Sequence, residues 1–142
     1  MTLIDQYVQQ NLFGKTLGMD FKIIEPGLVH YFLTIKPEHL ATPKAAHGGV
    51  ISALMDGLLG VTALSVSAEE NHIVSTVEFK INFLAAAFVG DTLRGIGKVE
   101  HKGKRLIVTS ADIICHERNN LVIAKAIGTF NTYPAEKAGY IV

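Results

Sequence analysis

One cysteine, Cys115, is all the thiol chemistry this 142-residue chain carries. A lone thiol closes no internal disulfide and builds no multi-cysteine zinc site. Charge is scarce as well. Charged residues make up 18%, and 13 Lys+Arg balance 13 Asp+Glu to a formal net charge of zero. A nucleic-acid binder needs a basic excess to meet phosphates, so that class is excluded. No repeat, low-complexity tract or Pro/Gly/Ser-rich linker interrupts the chain, and its length suits a single domain spanning 1–142. The opening residues, Met1 to Gln6, show no basic segment followed by an apolar core, so no secretory signal is expected. With the lone cysteine, this sets a cytoplasmic location as the expectation.

What is abundant is apolar: 49% hydrophobic residues and a mean hydropathy of +0.30. Disordered chains are poor in apolar residues, so disorder is excluded. The hydropathy is high for a small monomer, whose surface is large relative to its volume, and a homo-oligomer is expected to cover part of it. Val50 to Ala68 carries a single charge, Asp56, and resembles a membrane span. It lacks flanking Lys or Arg, and a carboxylate near a bilayer centre is costly, so the segment reads as a buried helix and no membrane is expected.

Periodicity orders the elements. Leu3, Ile4, Tyr7, Val8 and Leu12 sit near helical spacing behind Thr2 as N-cap, which predicts a short amphipathic helix over 2–12. Glu25-Pro26-Gly27 is a turn followed by alternation from Val29 to Lys36, which predicts a hairpin. Val50 to about Ser67 is apolar almost all round and predicts a helix enclosed on most sides. The period then becomes two over 73–83, with further strands at Leu93–His101, Leu106–His116 and Leu121–Tyr133. Gly90-Asp91, Lys102-Gly103-Lys104 and Arg118-Asn119-Asn120 separate them, so the strands are expected to follow as an antiparallel meander. The fold class is α+β, a sheet wrapping one long helix.

Two features carry chemistry. Asp56 lies inside the apolar helix, where an ionised carboxylate is expensive without a partner, and positions 52, 53, 59 and 60 hold no Lys or Arg. A structural acid bonded to buried amides or a distant cation is one reading; a general base is the other. His47-Gly48-Gly49 opens the same helix, where two glycines let a ligand approach the backbone and first-turn N–H groups lack helical partners. Such an end suits a polarised carbonyl oxygen, although Gly-Gly is also a common way to begin a helix. Eight residues separate Gly48 from Asp56, roughly 12 Å along one helix. Both would have to lie about 3 Å from one carbonyl group, so they cannot serve it from one chain. Two antiparallel copies across a two-fold axis would bring Gly48 of one chain toward Asp56 of the other.

His47-Gly48-Gly49 with Asp56 seven positions on resembles the HGG-x6-D signature of hotdog-fold acyl-CoA thioesterases, and in particular the phenylacetate-degradation-type branch. The resemblance continues through Val74–Leu84, Val89-Gly90-Asp91 and the Gly103-Lys104-Arg105 turn, covering roughly residues 20–133. It implies a hotdog fold, a long central helix wrapped by a curved antiparallel sheet, in a homodimer with a continuous sheet that pairs again into a tetramer. It implies hydrolysis of an acyl- or aryl-CoA thioester, with coenzyme A as part of the substrate and no metal or other cofactor. Asp56 then matches the carboxylate that activates water or attacks the carbonyl. Gly48 matches the residue whose N–H polarises that carbonyl from the opposite subunit. Thr76 matches a water-positioning hydroxyl, and His47 shapes the loop.

Around these, Gly49 allows close substrate approach, and Phe83 lines the acyl pocket or packs in the core. Lys102, Lys104 and Arg105 meet the nucleotide phosphates or form a solvated hairpin tip. One position departs from the pattern: relatives often carry Asn or Gln where this chain has Ala41, which leaves the loop backbone or His39 to supply that amide's role. The departure keeps a non-catalytic acyl-CoA-binding module as an alternative. A hotdog hydratase or dehydratase is a further one, against which the HGG-x6-D spacing argues.

Overall fold

In the computed structural model, which describes residues 1–142, six antiparallel strands curve around one long helix. The chain opens with α1 (Leu3–Gln10) and α2 (Leu12–Leu17), where a single helix over 2–12 was expected. Thr2 does cap α1, in a reciprocal capping box with Asp5. The break falls at Asn11, whose side-chain oxygen accepts from Gly14 N–H and starts a second helix there.

The β1 (Asp20–Glu25) and β2 (Leu28–Thr34) hairpin turns through Pro26-Gly27, with Gly27 at φ 90°. A 3-10 turn at Pro37–His39 and a loop lead into α3 (Gly48–Ser67), followed by β3 (His72–Phe83), β4 (Thr92–Lys102), β5 (Leu106–Cys115) and β6 (Leu121–Pro134). The sheet order is β1-β2-β4-β5-β6-β3, antiparallel throughout.

That order corrects the expected meander at one place. β4, β5 and β6 are consecutive neighbours, but β3 pairs with β6 at the far edge and not with β4. The Gly90-Asp91 turn therefore ends a crossover. Leu84 and Ala85 donate to Ile123 O, Ala46 donates to Ala87 O, and Gly90 donates to Ile35 O, so the segment runs across the end of the sheet. A long connection of this kind lets the chain close the sheet around the helix before the meander begins.

α3 packs against all six strands. Leu54, Met55, Leu58, Leu59 and Ala63 are fully buried under Val29, Tyr31, Leu33, Leu93, Ile107, Ile113 and Phe130. Close approach is possible because β4 carries Gly95 and Gly97, where a Cβ would land on the Leu58 side chain and the Thr62 hydroxyl. The helix is enclosed on most sides, with one side left open. Val61 to Ser65 are buried all round, but Ser52, Ala53, Asp56, Gly57 and Gly60 form a half-buried stripe that the sheet leaves open. The stripe escapes a hydropathy reading because its residues, apart from Asp56, are small and nearly neutral.

Candidate active site

Asp56 stands on that open stripe. Thr76 Oγ1 donates to its Oδ1 at 2.7 Å, while Oδ2 has no partner in the chain. The acid takes part in none of the four salt bridges, so the reading of a structural acid held by a cation has no counterpart. Thr76 reaches it because of a bulge: β3 and β6 pair in register to Thr76↔Phe130, then Val77 is the extra residue before Glu78↔Thr129. Bulges bend a strand and re-aim its side chains, and this one sits immediately beside the Thr76–Asp56 contact. A cavity of about 140 Å³ opens there, lined by Asp56, Thr76, Leu64, Ile73 and Phe130, with Tyr7 from α1.

The second cluster lies at the start of α3. His47 is the N-cap, and its Nδ1 accepts from Gly49 N–H at 2.7 Å, which holds the ring against the first turn of the helix. Val50 N–H donates to His47 O. The Gly48 N–H is left without an acceptor in the chain and faces solvent at the positive end of a 20-residue helix. Phe83 flanks it: a Cβ on Gly48 would lie 3.7 Å from the Phe83 ring. Phe83 is 53% exposed, so it neither packs in the core nor lines the Asp56 cavity. Within one chain the structure thus holds two half-sites, Asp56 with Thr76 and Gly48 with Gly49 and Phe83, separated by two turns of helix.

The loop before α3 corrects the expectation attached to Ala41. His39 is 3% exposed, and its ring is fully occupied: Nδ1 accepts from Lys36 N–H and Nε2 donates to Leu17 O, each at 3.0 Å. The side chain points into the fold and cannot replace an amide at the site. Thr42 Oγ1 is used as well, accepting from Ala45 N–H. What His39 does supply is backbone: its carbonyl accepts from His47 N–H at 2.8 Å and anchors the turn that presents Gly48.

The basic turn between β4 and β5 divides. Lys102 Nζ is bound to Glu70 Oε1 at 2.6 Å, and this partner holds the Glu70 carboxyl below the usual range. Lys104 and Arg105 form no salt bridge and are exposed, while their carbonyls accept from Thr132. The pair therefore stands free at the C-terminal end of α3. Cys115 is fully buried and burial pushes its thiol up, so it offers no thiolate nucleophile. No group of three or more His, Cys, Asp or Glu gathers in a metal-binding arrangement.

Tyr7 is the site residue that motif reading does not reach. Tyr7 lies outside the segment that carries the resemblance. The one sequence signal for it was the apolar stripe Leu3, Ile4, Tyr7, which requires α1 to dock on something.

Residues 44–121 match the sequence profile of the thioesterase superfamily. The acyl-coenzyme A thioesterase PaaI of Escherichia coli is 26% identical over 111 residues, which cover 78% of this chain and 76% of that protein. The structure of the E. coli PaaI protein, from the phenylacetic acid degradation operon, superposes with a TM-score of 0.83 at 22% identity, covering 92% of this chain and 90% of that one. A thioesterase family protein from Silicibacter pomeroyi gives a TM-score of 0.82 at 27% identity over 92% of this chain and 95% of its own. A Streptococcus pneumoniae thioesterase solved with coenzyme A gives 0.73 at 24%, over 82% and 86%. The shared architecture is the hotdog fold.

Proposed function

The chain belongs to the thioesterase superfamily, and from that premise we propose that it hydrolyses an acyl-coenzyme A thioester to a carboxylic acid and free coenzyme A. The observation that carries the reading is the Asp56 carboxylate, with one oxygen anchored by Thr76 at 2.7 Å and the other free at a cavity. Anchoring Oδ1 fixes the plane of the carboxylate and leaves Oδ2 to take a proton from water as that water attacks the thioester carbon. The carbonyl oxygen then carries negative charge, which the Gly48 N–H and the helix end stabilise. Collapse of the tetrahedral intermediate breaks the C–S bond; the thiolate leaves and takes up the proton. A thioester is already activated, so these two groups suffice and no metal or cofactor is invoked.

Two turns of helix separate the half-sites, so the complete site is proposed to need two chains. The free edge of β3, twelve residues long, is the surface on which a partner's sheet would continue this one. A homodimer places Gly48 of one protomer against Asp56 of its partner, and association of two dimers would cover further apolar surface. Lys104 and Arg105 are proposed to meet the phosphates of coenzyme A. The cytoplasm, where acyl-CoA is found, is the proposed location.

A thiol-release assay across short, long and aromatic acyl-CoAs tests the reading. Release of free thiol is the expected result; binding without release would make the chain a binding module, and an altered acyl chain with its thioester intact would make it a hydratase. A mixing experiment tests the shared site. Chains carrying Asp56→Asn and chains carrying Gly48→Pro, which lacks the N–H, are each expected to be inactive. Their heterodimers are expected to recover activity, because one of the two sites then carries both defects and the other neither. Proven heterodimers without activity would overturn the two-chain site, as would a stable active monomer in sedimentation.

A further inference from the structure

The cavity beside Asp56 has one wall from α1, which lies outside residues 44–121, the part that matches the family profile. Tyr7, on the second turn of α1, lines it with Leu64, Ile73 and Phe130. Three contacts hold α1 in place. Leu3 is buried against Leu64, Ile73 and Ala135. The Gln6 side chain exchanges two hydrogen bonds with the Ile141 backbone, donating from Nε2 and accepting at Oε1. The Tyr7 ring packs at 6.1 Å from that of Phe21, which in turn lies 5.2 Å edge-on to Tyr31. Tyr7 is thus a braced wall, not a fraying terminus.

On the facing helix the cavity meets Gly57 and Gly60, so its width exists because no side chain grows there. A Cβ on Gly60 would come within 3.3 Å of the Phe130 ring. The polar groups of the cavity are Asp56 and Thr76 with Ser75; its other side chains are apolar or aromatic, and the Tyr7 hydroxyl forms no hydrogen bond in the chain. Burial, with the Asp56 charge as a smaller contribution, drives the Tyr7 phenol upward, so it stays neutral next to the reacting carboxylate. A small apolar space that adjoins the hydrolytic carboxylate is where the carbon chain of the acyl group would lie.

We infer that this cavity is the acyl slot and that Tyr7 is its end wall, the residue that sets how long an acyl group the enzyme accepts. The inference rests on the thioesterase reading above and adds a limit to it. An apolar cavity of about 150 Å³ holds one benzene ring, and the part of the slot that one chain builds, about 140 Å³, holds an acyl group of roughly six carbons or one aromatic ring.

The test is kcat/KM by thiol release for straight-chain acyl-CoAs from two to fourteen carbons, measured on the full-length chain in its native assembly. For the wild type the profile is expected to rise by roughly fourfold for each methylene buried, to peak near six carbons, and to fall beyond eight, where the end wall excludes further chain. Tyr7→Ala is expected to move the peak to longer chains, raising the ratio of twelve-carbon to six-carbon activity by about tenfold or more, and Tyr7→Phe, which puts the ring back, to return the shorter limit. Gly60→Ala narrows the slot from the opposite wall on a helix that alanine favours, and its melting temperature is measured beside the profile because the new Cβ meets the Phe130 ring; its profile is expected to move to shorter chains. A Tyr7→Ala variant that loses activity equally at every length, or that keeps the wild-type profile, would overturn the inference, as would an unchanged profile in Gly60→Ala. Wild-type protein that releases thiol from no acyl-CoA would bring down the thioesterase reading and this inference together, whereas active protein with an invariant profile brings down this one alone.

Discussion

The two faces of α3 differ in side-chain size and hydropathy and have opposite fates. Toward the sheet it presents Leu54, Met55, Leu58 and Leu59, all at 0% exposure. Away from the sheet it presents Ser52, Ala53, Asp56, Gly57 and Gly60, all half-buried. The first face holds the fold together, since each fully buried leucine or methionine is worth about 1.5–3 kcal/mol of transfer free energy. The second contributes little to packing within the chain. Its small side chains keep space open beside one carboxylate. Large apolar side chains on one face and small or polar ones on the other divide this helix.

That division is exposed to direct attack, and the largest expected effect is at Asp56. Asp56→Asn keeps the shape of the side chain and can still accept from Thr76, but it cannot take a proton from water. Turnover is expected to fall by roughly 10² or more, with the melting temperature nearly unchanged because the position is open. A stability loss with turnover per folded molecule preserved would move Asp56 to the structural face. Leu58→Ala, on the other face, is the mirror experiment. It removes a fully buried side chain that fills the space over Gly95 and Gly97, and about 2–5 kcal/mol of stability should go with it. Denaturant unfolding measures the loss; kcat of the folded fraction is expected to hold within a few-fold. If Leu58→Ala silenced the enzyme without destabilising it, the two faces would not be separable.

Thr76 sharpens the comparison, because it belongs to the sheet but acts on the open face. A hydrogen bond to a charged group contributes about 1.5–3 kcal/mol, so Thr76→Ala is expected to lower kcat by about tenfold or more with KM little changed. Thr76→Ser keeps the hydroxyl and should recover most of that loss. Equal losses in both variants would mean that the methyl group, through packing at the Val77 bulge, matters more than the donor.

How far the sequence reached follows the same line. Period two marked the strands, and Thr2, Pro26-Gly27 and Asn119-Asn120 marked ends and turns, because those signals are local. The place of β3 at the far edge was not legible: an eight-residue crossover and a hairpin loop share turn chemistry at Gly90-Asp91, and only the pairing with β6 distinguishes them. The helix was legible as a helix, but its open stripe was not, since glycine, alanine and serine count as neutral in any hydropathy reading. At the site, Asp56, Gly48 and Thr76 stood out through their motif, while the burial of the His39 ring and the capture of Lys102 by Glu70 depend on contacts that are distant in sequence. Tyr7 belongs to the same class, since α1 meets the cavity through tertiary packing alone.

The smallest expected effect lies away from the Asp56 cavity, at the turn between β4 and β5. Lys104 and Arg105 are exposed and form no salt bridge, whereas Lys102 is held by Glu70. If the turn meets the phosphates of coenzyme A, its contacts are the same in the ground state and the transition state, because the phosphates take no part in the reaction. Uniform binding of that kind appears in KM and not in kcat. The Lys104→Ala, Arg105→Ala double variant is therefore expected to raise KM by a few-fold at low ionic strength and leave kcat unchanged. Added salt should shrink the difference, since exposed charges are screened over about 8 Å at physiological ionic strength. Lys102→Ala serves as the internal contrast: its ammonium is already committed to Glu70, so its loss should change KM less than the double variant does. An unchanged KM in the double variant would assign the turn to solvent, and a KM rise in Lys102→Ala as large as theirs would show that the Glu70 pair opens when substrate binds.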